Sequence, residues 1–291
     1  MDSISEKIIA LSPTFTKKQM VLGKYINDNM LEVALMNAPN IAKKAGVSEA
    51  TLTRFVYALG YQNFASFQLD IRKRAQEPKN SNPFRQEYIG EPDKNAFARV
   101  FGLEKTLMNE MMGMFDPVVF DTCVDKIMNA DKVMIIGGSI SDFLAQYMAI
   151  YLSVIRDDVI TFRQLDLSFY GALESMTENS VAIVFSYPRY PKDTMKIVEA
   201  ISMSNIPIIT ITDSNLSPMV KYSNYTIITP QRYLIFVPPI STAVTLIHAM
   251  LVAIYKKNTG VAKARLKKYE QLVLSTDMFE FKDYNFAEKL N

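Results

Sequence analysis

Apolar residues recur at helical spacing in the first quarter of the chain and as short continuous runs after residue 131. One buried helix face with i, i+3, i+4, i+7 spacing is formed by Leu52, Phe55, Val56 and Leu59. The same period predicts helices over 3–11 and 16–36, one opening around Asn37–Pro39, one over 48–59, and one from Phe64 to about residue 74. The later runs predict a different architecture.

Two of the early helices are joined by a tight turn at Gly46. Glycine adopts the positive φ of such a turn without strain, and Ser48 is placed to cap the second helix. Its predicted outer face carries Glu49, Ala50, Thr51, Thr53, Arg54 and Tyr57. Two short helices with this turn and a free polar face are typical of a helix-turn-helix, whose second helix enters the major groove of DNA.

The side chains around this helix divide by the contacts that they suit. We expect Arg54, Thr51 and Thr53 at or near base edges. Phosphate contacts suit the cations and amides at the margins, namely Lys43, Lys44, Gln62 and Asn63. The predicted DNA-facing surface also includes Ser48, Glu49, Ala50 and Tyr57.

A Pro-, Asn- and Gly-containing stretch over 78–93 predicts a linker between a helical domain, 1–77, and a second domain, 94–291. Two helices are expected at about 94–114 and 117–129. Short apolar strands are predicted at 133–136, 159–162, 181–185, 208–211 and 225–228, and helices at 139–154, 192–204, 216–222, 239–257 and 261–274. This alternation predicts a doubly wound α/β domain with a parallel sheet, whose ligands bind at the carboxyl ends of the strands.

Composition narrows the function classes. The chain has 291 residues, 49% hydrophobic and 21% charged, with a formal charge of +2, so no strong basic field indicates nucleic acid. Cys123 and His248 are the only cysteine and histidine, which excludes an internal disulfide and makes a metal site or metal cofactor unexpected. With no signal pattern and no apolar run of membrane-spanning length, a cytoplasmic protein without membrane contact is expected.

Two loops after predicted strands offer an anion site. Gly138, Ser139 and Ser141 follow the first strand, where backbone N–H groups and hydroxyls can cradle a phosphate. The alternative is an ordinary turn with Ser139 as an N-cap. Ser186, Arg189, Lys192 and Thr194 follow the strand over 181–185, and Asp193 or Thr194 is placed to cap the next helix. The alternative there is a rigid loop whose prolines hold Tyr187 and Tyr190 for packing.

Further candidates favour structural interpretations. Gln231, Ser241 and Thr242 could add polar contacts, but a loop with helix caps explains them better. His248 lies in an apolar helix and is expected in the core or an interface, and Cys123 is expected to serve packing.

The order of these motifs resembles the RpiR family of bacterial transcriptional regulators. The resemblance rests on Phe15–Lys18, Ile41–Ala42, Gly46–Thr51, Arg54–Phe55 and Leu59–Tyr61 with Phe64. In that family a helix-turn-helix domain precedes a SIS (sugar isomerase) domain, and the second domain here is similar to it. SIS domains usually carry a Ser-x-Ser-Gly-x-Thr phosphate loop; here Ser186 and Thr194 occupy its ends, while Pro188–Lys192 replaces its middle.

The resemblance implies a regulator that binds a double-stranded DNA operator and a phosphosugar effector and acts as a homodimer or homotetramer. One alternative is a phosphosugar isomerase or lyase. Its general base would be Asp166 or Glu174, or His248, which is expected to be buried, and no two of these groups pair convincingly. Another is a SIS domain that has lost its ligand and only oligomerises.

Overall fold

The computed structural model describes residues 4–75, 95–276 and 278–280. By its internal contacts the chain divides into two units. The first comprises residues up to Thr106 with the loop Arg232–Pro239, and the second comprises Leu107–Gln231 and the chain from Ile240 onward. The predicted linker at 78–93 lies outside the described residues, so the predicted domain boundaries stay predictions.

The first unit begins with six helices. They are α1 (Ile4–Leu11), α2 (Lys17–Asp28), α3 (Met30–Leu35), α4 (Ala38–Lys44), α5 (Glu49–Ala58) and α6 (Phe64–Ala75). A capping box between Thr16 and Gln19 starts α2. The single helix predicted over 16–36 is wrong, because the chain leaves helical geometry at Asn29, whose φ is −129°. Its side-chain amide instead donates to the carbonyl of Tyr25 at 2.8 Å.

The turn between α4 and α5 closes as the sequence predicts. Gly46 has a φ of +68°, and the N–H of Val47 donates to the carbonyl of Ala42 at 2.9 Å. The Ser48 hydroxyl accepts the N–H of Thr51 at 3.2 Å, which caps α5. Leu52, Phe55 and Val56 are buried from that helix. The helix-turn-helix is therefore held by local hydrogen bonds on one side and by a hydrophobic core on the other.

The second part of the chain is a parallel α/β fold. Its helices are α7 (Ala96–Gly113), α8 (Pro117–Asn129), α9 (Ile140–Ile155), α10 (Leu167–Glu174), α11 (Lys192–Ser202), α12 (Ser241–Lys257) and α13 (Thr259–Ser275). The strands are β1 (Val133–Gly137), β2 (Val159–Phe162), β3 (Val181–Ser186), β4 (Ile208–Thr212) and β5 (Tyr225–Ile228). They form one sheet of order β2-β1-β3-β4-β5 with every neighbouring pair parallel.

All five predicted strands are confirmed, and two helix predictions are corrected. The helix expected at 216–222 is only a 3-10 turn at Val220–Tyr222, and α10 lies where no helix was predicted. The sheet is covered on both faces. Ile135, Ile183 and Ile209 lie in one core with residues of α8, α9 and α12, whereas Met134, Ala182 and Ile208 lie in the other with residues of α10 and α11. Alternate strand residues thus enter opposite cores, which makes the domain doubly wound.

One partly buried arginine binds the carbonyls at the end of α8. The Arg156 guanidinium donates to the carbonyls of Ile127 and Ala130, the latter at 2.7 Å, and so serves the carboxyl end of α8. Burial lowers the pKa of Arg156, and the neighbouring Asp158 partly offsets that effect. These hydrogen bonds satisfy carbonyls that the end of α8 leaves unpaired and hold the segment that leads into β1.

Candidate functional site

The outer face of α5 is the candidate DNA-reading surface. Glu49, Ala50, Thr53, Arg54 and Tyr57 are exposed, as the sequence predicts. Thr53 donates through its hydroxyl to the carbonyl of Glu49 at 3.0 Å, and Arg54 donates through Nε to the carbonyl of Ala50 at 3.2 Å. These bonds hold both side chains along the helix, with the Arg54 guanidinium at the surface.

Thr51 does not belong to that face. It is 7% exposed, and its hydroxyl lies 2.9 Å from the hydroxyl of Ser48. The prediction that Thr51 is a base contact is therefore wrong. The residue lies one turn before Phe55 on the inner side of the helix, where its hydroxyl joins the cap.

The predicted phosphate contacts lie at the margins of α4 and α6. Lys43, Lys44, Gln62 and Asn63 are all exposed. Lys44 forms an ion pair with Glu32, which neutralises part of its charge. Asn63 accepts the N–H of Ser66 at 2.8 Å and so also caps the start of α6.

The loop between β1 and α9 lies at the carboxyl edge of the sheet. Ser139 is exposed with a φ of +57° and occupies the N-cap position of α9, as the alternative predicts, but its side chain makes no cap hydrogen bond. Ser141 is 2% exposed, inside the first turn of α9. A Cβ on Gly138 would lie 2.4 Å from Oγ1 of Thr194. The first predicted loop is thus packed directly against the second.

Two buried hydroxyls, one at the end of β3 and one in the first turn of α11, have no hydrogen bond. Ser186 and Thr194 are both 0% exposed, and neither hydroxyl has a hydrogen-bond partner in the described part of the chain. An unsatisfied buried polar group of this kind costs about 1–3 kcal/mol. Because native proteins rarely retain such groups without a purpose, the pair marks a functional candidate.

The start of α11 is also open. The N-cap position is Pro191, which offers no side-chain bond, so the prediction that Asp193 or Thr194 caps this helix is wrong. The first N–H groups of a helix attract anions when no side chain satisfies them. Arg189 and Lys192 are exposed at the same loop. They lie at the surface, while Ser186 and Thr194 lie beneath it.

Two tyrosines hold this loop. The Tyr187 hydroxyl is 2.5 Å from that of Thr229, and Tyr187 is 2% exposed within the hydrophobic core. Burial raises the pKa of Tyr187 above its usual value. Tyr190 donates to Oδ1 of Asp213 at 2.8 Å. Tyr187 packs in the core, as the alternative interpretation predicts, whereas Tyr190 is partly exposed and held by a hydrogen bond.

The sequence analysis does not predict the hydrogen bonds that these tyrosines make with Asp213 and Thr229. Asp213 directly follows β4 and Thr229 directly follows β5, so the rule that the carboxyl ends of parallel strands meet at one edge could have found them. Thr242 donates to the carbonyl of Pro230 at 3.3 Å, which supports the structural interpretation of the third candidate loop.

The candidates for a general base lie in different surroundings. Asp166 accepts the N–H of Phe169 at 3.1 Å as the cap of α10, and its hydrogen bond from Ser168 holds its pKa below the usual range. His248 is exposed, so the expected core position is wrong, and the interface position stays a prediction. Burial raises the pKa of Cys123 to about 12, which keeps the thiol protonated. Among residues 4–75, 95–276 and 278–280 no cluster of three potential metal ligands occurs.

None of the helices described is both long and apolar enough to span a membrane.

Comparison with known proteins gives this geometry a family context. Residues 126–256 match the SIS domain. An uncharacterised HTH-type transcriptional regulator of Clostridium perfringens is 28% identical over 217 residues, covering 72% of this chain and 75% of the relative. Another, from Haemophilus influenzae, is 22% identical and covers 78% of this chain and 79% of its own length.

Two solved structures have a similar fold. The sugar isomerase domain of an RpiR transcription factor from Sphaerobacter thermophilus has a TM-score of 0.58 at 18% identity, covering 61% of this chain and 99% of that domain. The NanR protein of Vibrio vulnificus, complexed with ManNAc-6P, has a TM-score of 0.56 at 15% identity and covers 92% of this chain and 98% of that one. The chain thus combines a helix-turn-helix with a SIS domain, and over most of its length it is similar to HTH-type transcriptional regulators.

Proposed function

We propose that this protein binds an operator through α5 and senses a phosphorylated sugar, or a similar small anion, at the carboxyl edge of its SIS domain. The observation that carries the proposal is the pair of buried, unbonded hydroxyls of Ser186 and Thr194 beside Gly138. The relative from V. vulnificus is complexed with a phosphosugar, which agrees with this chemistry. We also propose a cytoplasmic location, because a transcriptional regulator acts where the DNA is.

The proposed DNA contacts follow the exposed surface. Arg54 and Thr53 face the bases from α5, and Ser48, Glu49, Ala50 and Tyr57 border them. Lys43, Lys44, Gln62 and Asn63 contact phosphates on either side. Thr51 is left out because it is buried.

The test of this surface is Arg54→Ala. If Arg54 reads a guanine, operator binding weakens by about 1–3 kcal/mol, while binding to random DNA changes little. Operator fragments selected from random sequence and random duplexes are titrated at one salt concentration. Lys43→Ala is the control, because a phosphate contact lowers binding to both DNAs alike. An Arg54→Ala variant that loses both equally removes the base contact from the proposal.

The proposed ligand site combines both loops. Gly138, Ser139 and Ser141 supply one side, and Ser186 with Thr194 supplies the other. Arg189 and Lys192 are the exposed cations that draw the anion to the loop. A thermal-shift screen against sugar phosphates and amino-sugar phosphates tests the site, since ligand at a hundred times its Kd stabilises the fold by about 2.7 kcal/mol. No stabilisation across the panel contradicts the proposal.

The proposed assembly is a homodimer, which matches a two-fold operator. Helix α9 supports it, because it has a second apolar face besides the one that it buries on the sheet. This face carries Ile140, Phe143, Ile150 and Tyr151, which are 46%, 54%, 60% and 53% exposed. Asp142, the charged residue of α9, lies outside it. A helix that is apolar on nearly all sides is normally buried.

Sedimentation of an Ile150→Asp variant tests this assembly. A charge on the face disfavours burial against an uncharged copy, so the variant sediments as a smaller species than the wild type. Lys196→Asp on α11 is the control, as Lys196 is already exposed and charged. Unchanged sedimentation of the Ile150→Asp variant moves the interface elsewhere.

We further propose that the chain regulates rather than catalyses. The curated relatives are named as transcriptional regulators, and Asp166 is occupied as a helix cap. An assay for aldose–ketose isomerisation of any sugar phosphate that binds tests this, and turnover contradicts it.

A further inference from the structure

Two tyrosine hydrogen bonds hold the loop between β3 and α11, and the two tyrosines differ in their exposure to solvent. Tyr187 is 2% exposed, lies in the hydrophobic core and bonds Thr229. Tyr190 is partly exposed and donates to Asp213. The first fastening is fixed by burial, whereas the second rests on a hydrogen bond near solvent, which is easier to exchange for water.

Beneath this loop the two hydroxyls proposed to bind phosphate are shielded from solvent. Ser186 and Thr194 are 0% exposed. A Cβ on Gly138 would lie 2.4 Å from Oγ1 of Thr194 and 3.4 Å from Cβ of Pro191. Because Thr194 and Pro191 occupy the space above Gly138, a phosphate cannot stand between the two loops in this conformation.

The backbone between the fastenings is strained. Arg189 has a φ of +80° and Tyr190 a φ of +30°, and neither residue is glycine. Non-glycine residues adopt positive φ only when their surroundings enforce it. The bond from Tyr190 to Asp213 is one such constraint, so releasing it frees the loop to relax.

We propose that Pro188–Pro191 is a lid, hinged at Tyr187 and latched by Tyr190 to Asp213, which must open before an anion reaches Ser186 and Thr194. This inference rests on the proposed ligand function and adds its regulation. The energy of the latch reduces the apparent affinity, because only the open fraction of molecules can bind. It also links binding to the end of β4 through Asp213.

Tyr190→Phe tests the latch by removing one hydroxyl. Calorimetric titration with inorganic phosphate and with glucosamine 6-phosphate compares wild type and variant. We expect about threefold to tenfold tighter binding in the variant, because a larger fraction of molecules is open. Tyr222→Phe, at the opposite edge of the sheet before β5, is the matched control and leaves the affinity unchanged.

A second substitution separates opening from general loosening. Thr194→Val keeps the shape of the side chain and removes a hydroxyl that has no bond in the closed form. In the Tyr190→Phe, Thr194→Val double variant the gain in affinity disappears, since the opened site lacks its acceptor-binding group.

The outcomes distinguish the lid from the ligand function. If wild type and Tyr190→Phe bind with equal affinity, the ligand function stands and the lid is wrong. If the variant binds and the wild type does not, the lid is supported in its strongest form. If neither protein binds either probe, both the lid and the proposed anion site are overturned.

Discussion

The hydroxyls at the start of α5 in the helix-turn-helix are hydrogen-bonded, whereas two hydroxyls at the carboxyl edge of the sheet are not. In the first, Ser48 accepts the N–H of Thr51, and the two hydroxyls lie 2.9 Å apart. In the second, Ser186 and Thr194 are buried without a bond. Hydroxyls of the first kind stabilise the fold, whereas those of the second kind cost stability until something binds them. The helix-turn-helix therefore satisfies these polar groups within the chain, whereas the carboxyl edge of the sheet leaves two buried hydroxyls for a ligand to bind.

The largest expected effect is a loss of stability in the helix-turn-helix. Phe55 is fully buried and lies 5.0 Å from the ring of Phe15 between centroids. Phe55→Ala should cost about 3–5 kcal/mol of stability because it leaves a large cavity. Denaturation followed by circular dichroism, together with operator binding, measures the loss. Retained operator affinity would show that α5 needs less support than its core suggests.

A pair of glycine substitutions contrasts the two regions next. Gly138→Ala places a Cβ against Thr194, so we expect a cost of about 1–3 kcal/mol from overpacking. Gly46→Ala meets no atom within 4 Å and costs only the strain of its φ of +68°, about 1 kcal/mol. Adding Thr194→Ala should rescue the first variant and leave the second unchanged. The midpoints of unfolding measure these changes. If Thr194→Ala does not restore the stability of the Gly138→Ala variant, the two loops do not pack as described.

Removing a hydroxyl should change the free energy of unfolding in opposite directions in the two regions. Ser48→Ala loses an N-cap and should destabilise the protein by about 0.5–2 kcal/mol. Thr194→Val removes an unbonded buried group, so stability should stay level or rise by roughly 1 kcal/mol. Urea unfolding of both variants gives the comparison. A loss of stability in Thr194→Val would mean that its hydroxyl has a structural partner.

The smallest effect is expected at His248. It is exposed on α12, so His248→Gln should change stability by less than about 0.5 kcal/mol. Ligand affinity should also be unchanged. A marked loss of either, measured by thermal shift with and without sugar phosphate, would return His248 to an interface or to the site.

Local sequence signals determined the helix-turn-helix and the strands. Gly46, Ser48 and the apolar spacing of α5 act over a few residues, where backbone sterics and capping decide the structure. The five strands were found for a similar reason, since continuous apolar runs are required when both faces of a sheet are covered. Thr51 was misplaced because its position lies at the border of the buried face, where spacing alone does not fix exposure.

Only the tertiary structure decided the state of the ligand edge. Gly138 and Thr194 are 56 residues apart by their numbers, and their contact depends on β1 and β3 being neighbours in the sheet. Tyr190 and Asp213 meet because β3 and β4 are neighbours as well. Sequence placed polar residues at this edge through their position after strands. Whether their hydroxyls have a hydrogen-bond partner depends on long-range packing, which no local sequence pattern encodes.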